Sequence, residues 1–324
     1  MTTNAGSAPR LAPRLTVALT FDHDSISDGV RRGDSPVKMS HAEFGVRVGA
    51  PRILELLAAH GIVSTWFVPG HTLVTFPEST AAILAGGHEI GCHGWFHEDA
   101  AQLAAGEERA MVERCATAVA GATGERPRGW RAPYWSLGRR SLEIVEAAGF
   151  AYDSSLMADD YRLYRVRHGD HHSVKKGSRF GPESSLVEAP VSWALDDWPH
   201  FEPSASGDRD GLSAPSKVLE IWTEELRYAH AHAPGGLLTI TMHPECIGRG
   251  HRMAMLERFI DTALALDGVV FDRLDRFVAA WAGSPVGWLG RRRPSDFGHS
   301  RMGRMWFRAA LDFGPLVCAG SSGR

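Results

Sequence analysis

Short apolar and β-branched runs alternate along the chain with segments whose apolar residues recur at helical spacing. Residues 15–21, 62–68, 88–92, 128–131, 151–154, 186–190, 236–242 and 269–272 read as strands, several ending in Gly, Pro or Asp. Helical spacing predicts helices over 50–60, 77–85, 98–119, 216–231, 252–266 and 275–282. Strands that alternate with helices imply βα units and a parallel sheet, in a barrel or a doubly wound layout. In both layouts chemistry collects at the carboxyl ends of the strands. Two stretches depart from the pattern. Residues 159–185 are polar and basic and read as a long ordered loop or lid, and residues from 290 onward read as a tail outside the core.

Composition narrows the class. Lys and Arg number 35 against 38 Asp and Glu, a net charge of −3, which argues against a nucleic-acid partner. A chain of 324 residues with 44% hydrophobic content buries a sizeable core without staples. No stretch is apolar for long enough to span a membrane, and residues 1–10 do not read as a secretory signal. Cys92, Cys115, Cys246 and Cys318 show no paired spacing, so a reduced, cytoplasmic setting is expected.

Five segments carry residues capable of chemistry. Asp22-His23-Asp24 closes the first strand with two carboxylates on one side, suited to a metal ligand beside a base or, more plainly, to a turn cap. His93 and His97 have the i, i+4 spacing of a ligand pair, the alternative being surface histidines. With Asp24 they make three protein ligands and leave a coordination position open, the pattern of a catalytic site. Arg131-Ala132-Pro133-Tyr134 offers a guanidinium to hold a carboxylate ionised and a stiffened backbone N–H at Tyr134, or else a structural salt bridge. Asp196-Asp197 lies between Trp193 and Trp198, and His243 follows the late strand, placed for general acid work.

Taken in order, these segments resemble the polysaccharide deacetylase superfamily, the NodB-homology or carbohydrate esterase family four, over roughly residues 14 to 282. Thr20 to Asp24, His93 to His97, Arg131 to Tyr134, Leu195 to Trp198 and Leu238 to His243 look like its five motifs. The resemblance implies a distorted (β/α) barrel of about seven parallel strands in a catalytic domain 14–282, with a flexible start 1–13 and a tail 283–324. It implies a divalent metal, zinc first and Co2+, Ni2+ or Mn2+ as alternatives, on Asp24, His93 and His97. Asp22 would be the base, Arg131 its restraint and the Tyr134 backbone an oxyanion donor. His243 would be the acid, supported by Asp196 or Asp197, with Trp95, Pro133, Trp135 and Trp198 lining the pocket. His23 interrupts the two adjacent aspartates commonest in secreted members. That form looks more like a cytoplasmic subgroup containing Helicobacter-type peptidoglycan deacetylases, cyclic imide hydrolases and cofactor-independent allantoinases.

The expected activity is hydrolysis of a non-peptide C–N bond in a small amide, a cyclic imide or an N-acetylated sugar. Peptidoglycan or chitooligosaccharide deacetylation is an alternative, and a catalytically silent barrel used for binding or oligomerisation is another. Members of the subgroup are often homo-oligomers, so a dimer or tetramer is expected.

Overall fold

The apolar run near the start becomes β1 (Leu15–Asp22), and every residue in it is buried. The remaining strands are β2 (Thr65–Val68), β3 (Glu89–Cys92), β4 (Gly129–Trp130), β5 (Tyr152–Asp153), β6 (Tyr164–Arg167), β7 (His171–Ser173), β8 (Gly177–Arg179), β9 (Glu183–Glu188), β10 (Gly236–Met242) and β11 (Val269–Phe271). These come from a computed structural model that describes residues 13–202 and 213–284. Most of the expected start 1–13 and tail 283–324 lies outside the described residues. The described residues up to Ala280 form one compact unit, and 281–284 are the described part of a second.

The main sheet runs β10-β1-β2-β3-β4-β5-β9-β6, and all its pairings are parallel except β6 with β9. The first half of β1 also pairs with β11. After β9 the chain returns to β10 through a parallel bridge between Asp196 and Thr241, which draws the sheet toward closure. The result is a distorted (β/α) barrel, as expected. β1 and β10 are buried throughout because strands of a parallel barrel are covered on both faces. Trp66, Trp130 and Trp222 are the bulkiest fully buried side chains among the described residues.

Helices Ala50–Ala59, Pro77–Ala85, Ala105–Thr123, Pro215–His232, Gly250–Leu264 and Leu274–Ala282 occupy the predicted stretches. One boundary moves: the helix expected from residue 98 starts at Ala105, because Glu98 is spent on a turn, accepting from the Trp95 and Phe96 N–H groups. The stretch 159–185 is not a plain loop. β6 pairs antiparallel with β9, and β7 and β8 form a hairpin of their own.

Helices Ser27–Arg32 and Pro36–Phe44 had no signal in the apolar pattern, and none of the residues 36–44 is buried. The second continues through a π-turn, Gly45–Gly49, into Ala50–Ala59. A Cβ on Gly49 would lie 2.0 Å from the Pro244 carbonyl oxygen, so glycine lets this turn rest directly on the segment that follows His243. π-turns are uncommon and recur near functional sites.

Candidate active site

All five sequence segments reach the carboxyl-terminal end of the barrel. His93 follows β3, and the left-handed conformations of Gly94 and His97, at φ 72° and 58°, fold the chain back so that the two imidazoles lie 4.9 Å apart. Asp24 lies between them, 3.4 Å from His93 Nε2 and 3.3 Å from His97 Nε2. Ligands of a tetrahedral ion are themselves about 3.3 Å apart when each bond is about 2.0–2.1 Å. His93 Nδ1 donates to the Arg131 carbonyl at 2.8 Å, which leaves the Nε2 lone pair facing the carboxylate. Burial lowers His93 to about 4 and His97 well below the ordinary range, so both rings are neutral. His93 Nε2 and Asp24 Oδ1 are buried without a hydrogen-bond partner. Burial raises the Asp24 carboxyl; His243 opposes this, while Glu245 and Asp22 add to it. Neutral imidazoles, a carboxylate and orphaned atoms at this spacing fit a divalent cation.

Asp22 stands at the end of β1. Arg131 Nη1 donates to Asp22 Oδ1 at 2.8 Å and to the Thr20 hydroxyl at 2.9 Å. The guanidinium is wholly buried, and its other edge is held by the Ser154 carbonyl and hydroxyl. Burial would raise the Asp22 carboxyl, but the Arg131 charge, with His93 and His243, brings it below the usual carboxylate range. Asp22 Oδ2 is left 3.7 Å from His93 Nε2, facing the same space as the ligands.

The third group lies on the seam between the Asp196 bridge and β10. His243 Nδ1 donates to Asp197 Oδ1 at 2.8 Å, and the His243 backbone N–H donates to both Asp197 oxygens. Asp196 is 3.7 Å from the ring and accepts instead from the Trp198 N–H. Burial alone would lower His243, yet Asp197, Asp196 and Asp22 raise it well above the ordinary imidazole value.

Four non-glycine residues have positive φ among the described residues, namely Ser25, His97, Tyr134 and Trp135, and all four belong to segments that form this site. Such conformations cost roughly 1–3 kcal/mol each and collect at functional centres. The Tyr134 ring packs edge-on against His97, and its hydroxyl accepts from Arg31. Trp135 packs at a 46° tilt against Trp193, which is half exposed, and Trp198 meets His243 edge-on. Pro133 is buried and opens the turn that carries Tyr134 and Trp135. Trp95 lies apart from these rings, buried beneath Gly70 with Arg114 on its face. Thr20 and Ser154, the holders of Arg131, were missed in the sequence. Their one signal is a polar residue at the end of a buried strand.

The model of the family described as polysaccharide deacetylase matches residues 12–152. A peptidoglycan deacetylase of Helicobacter pylori is 31% identical over 273 residues, covering 80% of this chain and 93% of that protein. The chain belongs to the polysaccharide deacetylase family. It is thereby a hydrolase of carbon–nitrogen bonds other than peptide bonds. A solved structure titled as a putative polysaccharide deacetylase from Mycobacterium smegmatis shares 33% identity, with a TM-score of 0.71 over 86% of this chain and 94% of that one. Puue allantoinase superimposes with a TM-score of 0.72 at 23% identity, over 86% and 95% of the two chains, a likeness of fold. The family fold thus accounts for the barrel. No described helix is long and apolar enough to cross a membrane.

Proposed function

We propose that the chain is a divalent-metal-dependent N-deacetylase acting on an acetamido sugar. The observation that carries this reading is the convergence of a restrained carboxylate, a ligand triad and a carboxylate-backed histidine on one barrel end. Asp24, His93 and His97 would hold the ion, zinc being the first choice for two imidazoles and one carboxylate. When bound, the ion supplies Lewis acidity that makes water easier to deprotonate and polarises the amide carbonyl.

The rest is the work of this chain. Asp22 Oδ2 takes a proton from the attacking water, while Arg131 keeps Oδ1 occupied and the carboxyl ionised. The Tyr134 backbone N–H would stabilise the oxyanion. His243 donates from Nδ1 to Asp197, so its Nε2 proton passes to the departing nitrogen, giving a free amine and acetate. Exposed faces of Trp193 and Trp198 suit a sugar ring at the mouth. The substrate class also follows the name of the Helicobacter relative.

Asp197→Asn tests the acid. The amide keeps an acceptor for Nδ1 but removes the charge that raises His243. We expect kcat to fall by about 10–100-fold. The alkaline limb of kcat/KM, where the required proton is lost, should move to lower pH by about one unit or more. An unmoved limb removes Asp197 as the support of the acid.

The substrate assignment is tested with the zinc-loaded protein on N-acetylglucosamine oligomers and peptidoglycan fragments, beside succinimide, maleimide and hydantoin. Acetate release supports deacetylation. Ring opening without acetate release transfers the same residues to imide hydrolysis. Inertness with zinc and with cobalt favours a silent barrel.

A further inference from the structure

β5 and β9 set Asp153 opposite Glu188 in register, and both residues are fully buried. Glu188 Oε1 accepts from the backbone N–H groups of Ser155 and Leu156, each at 2.9 Å. Asp153 Oδ1 accepts from the Ser155 hydroxyl at 2.9 Å. The second oxygen of each acid, Asp153 Oδ2 and Glu188 Oε2, receives no hydrogen bond from any other described group. Paired in register on parallel strands, the two side chains lie side by side on the same face of the sheet. Two buried carboxyl groups side by side, each with an oxygen left over, can satisfy one another when one of them carries a proton. Burial raises both acids, and Glu188 is raised further by the charge of Asp153. Arg131, which follows β4, and Tyr164 of β6, opposite Glu188 in register, also face the pair.

The segment these acids hold is the one that holds Arg131. The Ser154 carbonyl and hydroxyl accept from Arg131 Nε and Nη2 at 3.0 and 2.9 Å. The Ser155 hydroxyl, which donates to Asp153, accepts from the Ala132 N–H at 2.9 Å. A continuous path therefore runs from Glu188 and Asp153 through two serines to Arg131 and Ala132, and from Arg131 to Asp22.

We propose that Asp153 and Glu188 are positioning residues for the reaction, joined by one shared proton and acting through Ser154 and Ser155 to hold Arg131 on Asp22. The assignment rests on the deacetylase reading above. Two apolar side chains of similar volume would fill the same space, but they would leave the Ser155 and Leu156 N–H groups and the Ser155 hydroxyl without acceptors. The pair also leaves one net negative charge beside the buried guanidinium, which a neutral filling would not.

The test compares Glu188→Gln with Glu188→Met in the full-length, zinc-loaded protein, using acetate release from an N-acetylglucosamine oligomer. A glutamine carbonyl accepts from Ser155 and Leu156, and its amide N–H donates to Asp153 as the shared proton does. Glu188→Gln should therefore retain kcat within about threefold, whereas Glu188→Met should lose about 10–100-fold in kcat. KM should stay within about twofold in both, because the pair does not touch substrate. Infrared difference spectra at neutral pH should show a protonated-carboxyl C=O band in the wild type that Glu188→Gln lacks. A folded Met variant with wild-type kcat overturns the proposal, and so does the absence of that band. If Glu188→Met does not fold, the spectrum of the soluble Gln variant still decides. If the wild type releases no acetate, the deacetylase reading fails, and the band alone decides the shared proton.

Discussion

Asp22→Asn should lower kcat by about 10³-fold while the protein still binds one divalent ion per chain. The reason lies in how the two oxygens are divided. Oδ1 is committed to Arg131, and an asparagine carbonyl oxygen can keep that bond. Oδ2 faces the ligand triad, and an amide nitrogen there cannot accept a proton from water. Asparagine has nearly the same volume, so the buried strand end keeps its packing. Elemental analysis and acetate release, measured on the same sample, separate the two effects. Turnover within about tenfold of wild type would remove Asp22 as the base. Loss of the ion with turnover would make Asp22 a ligand instead.

His93→Ala should abolish turnover for a different reason, by releasing the ion. His93 is the most constrained of the three candidate ligands, buried and pinned through Nδ1 to the Arg131 carbonyl. That bond sets the tautomer and aims Nε2 at Asp24. Alanine removes the nitrogen and leaves a cavity in its place. Zinc affinity, followed by competition with a chelator, should fall by about 100-fold or more. Treating the wild type with the same chelator should stop turnover, and zinc should restore it. A full complement of zinc in His93→Ala would overturn the ligand assignment. The readout is metal content, so it stands apart from the question of substrate.

Much of the fold was legible because a parallel barrel writes itself as apolar runs alternating with amphipathic stretches. β1 and β10 are buried on both faces and carry that signal most strongly. Elements without an apolar stripe left no trace. Pro36–Phe44 buries none of its residues, and β7 and β8 are almost entirely exposed, so periodicity had nothing to report. The chemical residues were visible as types at strand ends, but their partners were not. Asp196 and Asp197 are adjacent in sequence, and only the geometry of the bridge to β10 turns Asp197 to the imidazole and Asp196 to the Trp198 N–H. Asp153 and Glu188 are 35 residues apart, and only strand register makes them neighbours. Ser154 reads in the sequence as an ordinary strand-end residue, although it anchors the arginine that restrains Asp22.

The bridge between Asp196 and Thr241 has an implication for the order in which competence arises. The candidate metal ligands hang from β1 and β3, with β2 between them, on the continuous part of the sheet. Asp197, which accepts from His243 Nδ1, lies on the far side of β10 from β1, where its N–H donates to the Thr241 carbonyl and the barrel meets itself. On the reaction proposed above, a barrel still open along that line would gather an ion but would not discharge an amine. Closure of the architecture and arming of the proposed proton donor would then be one event.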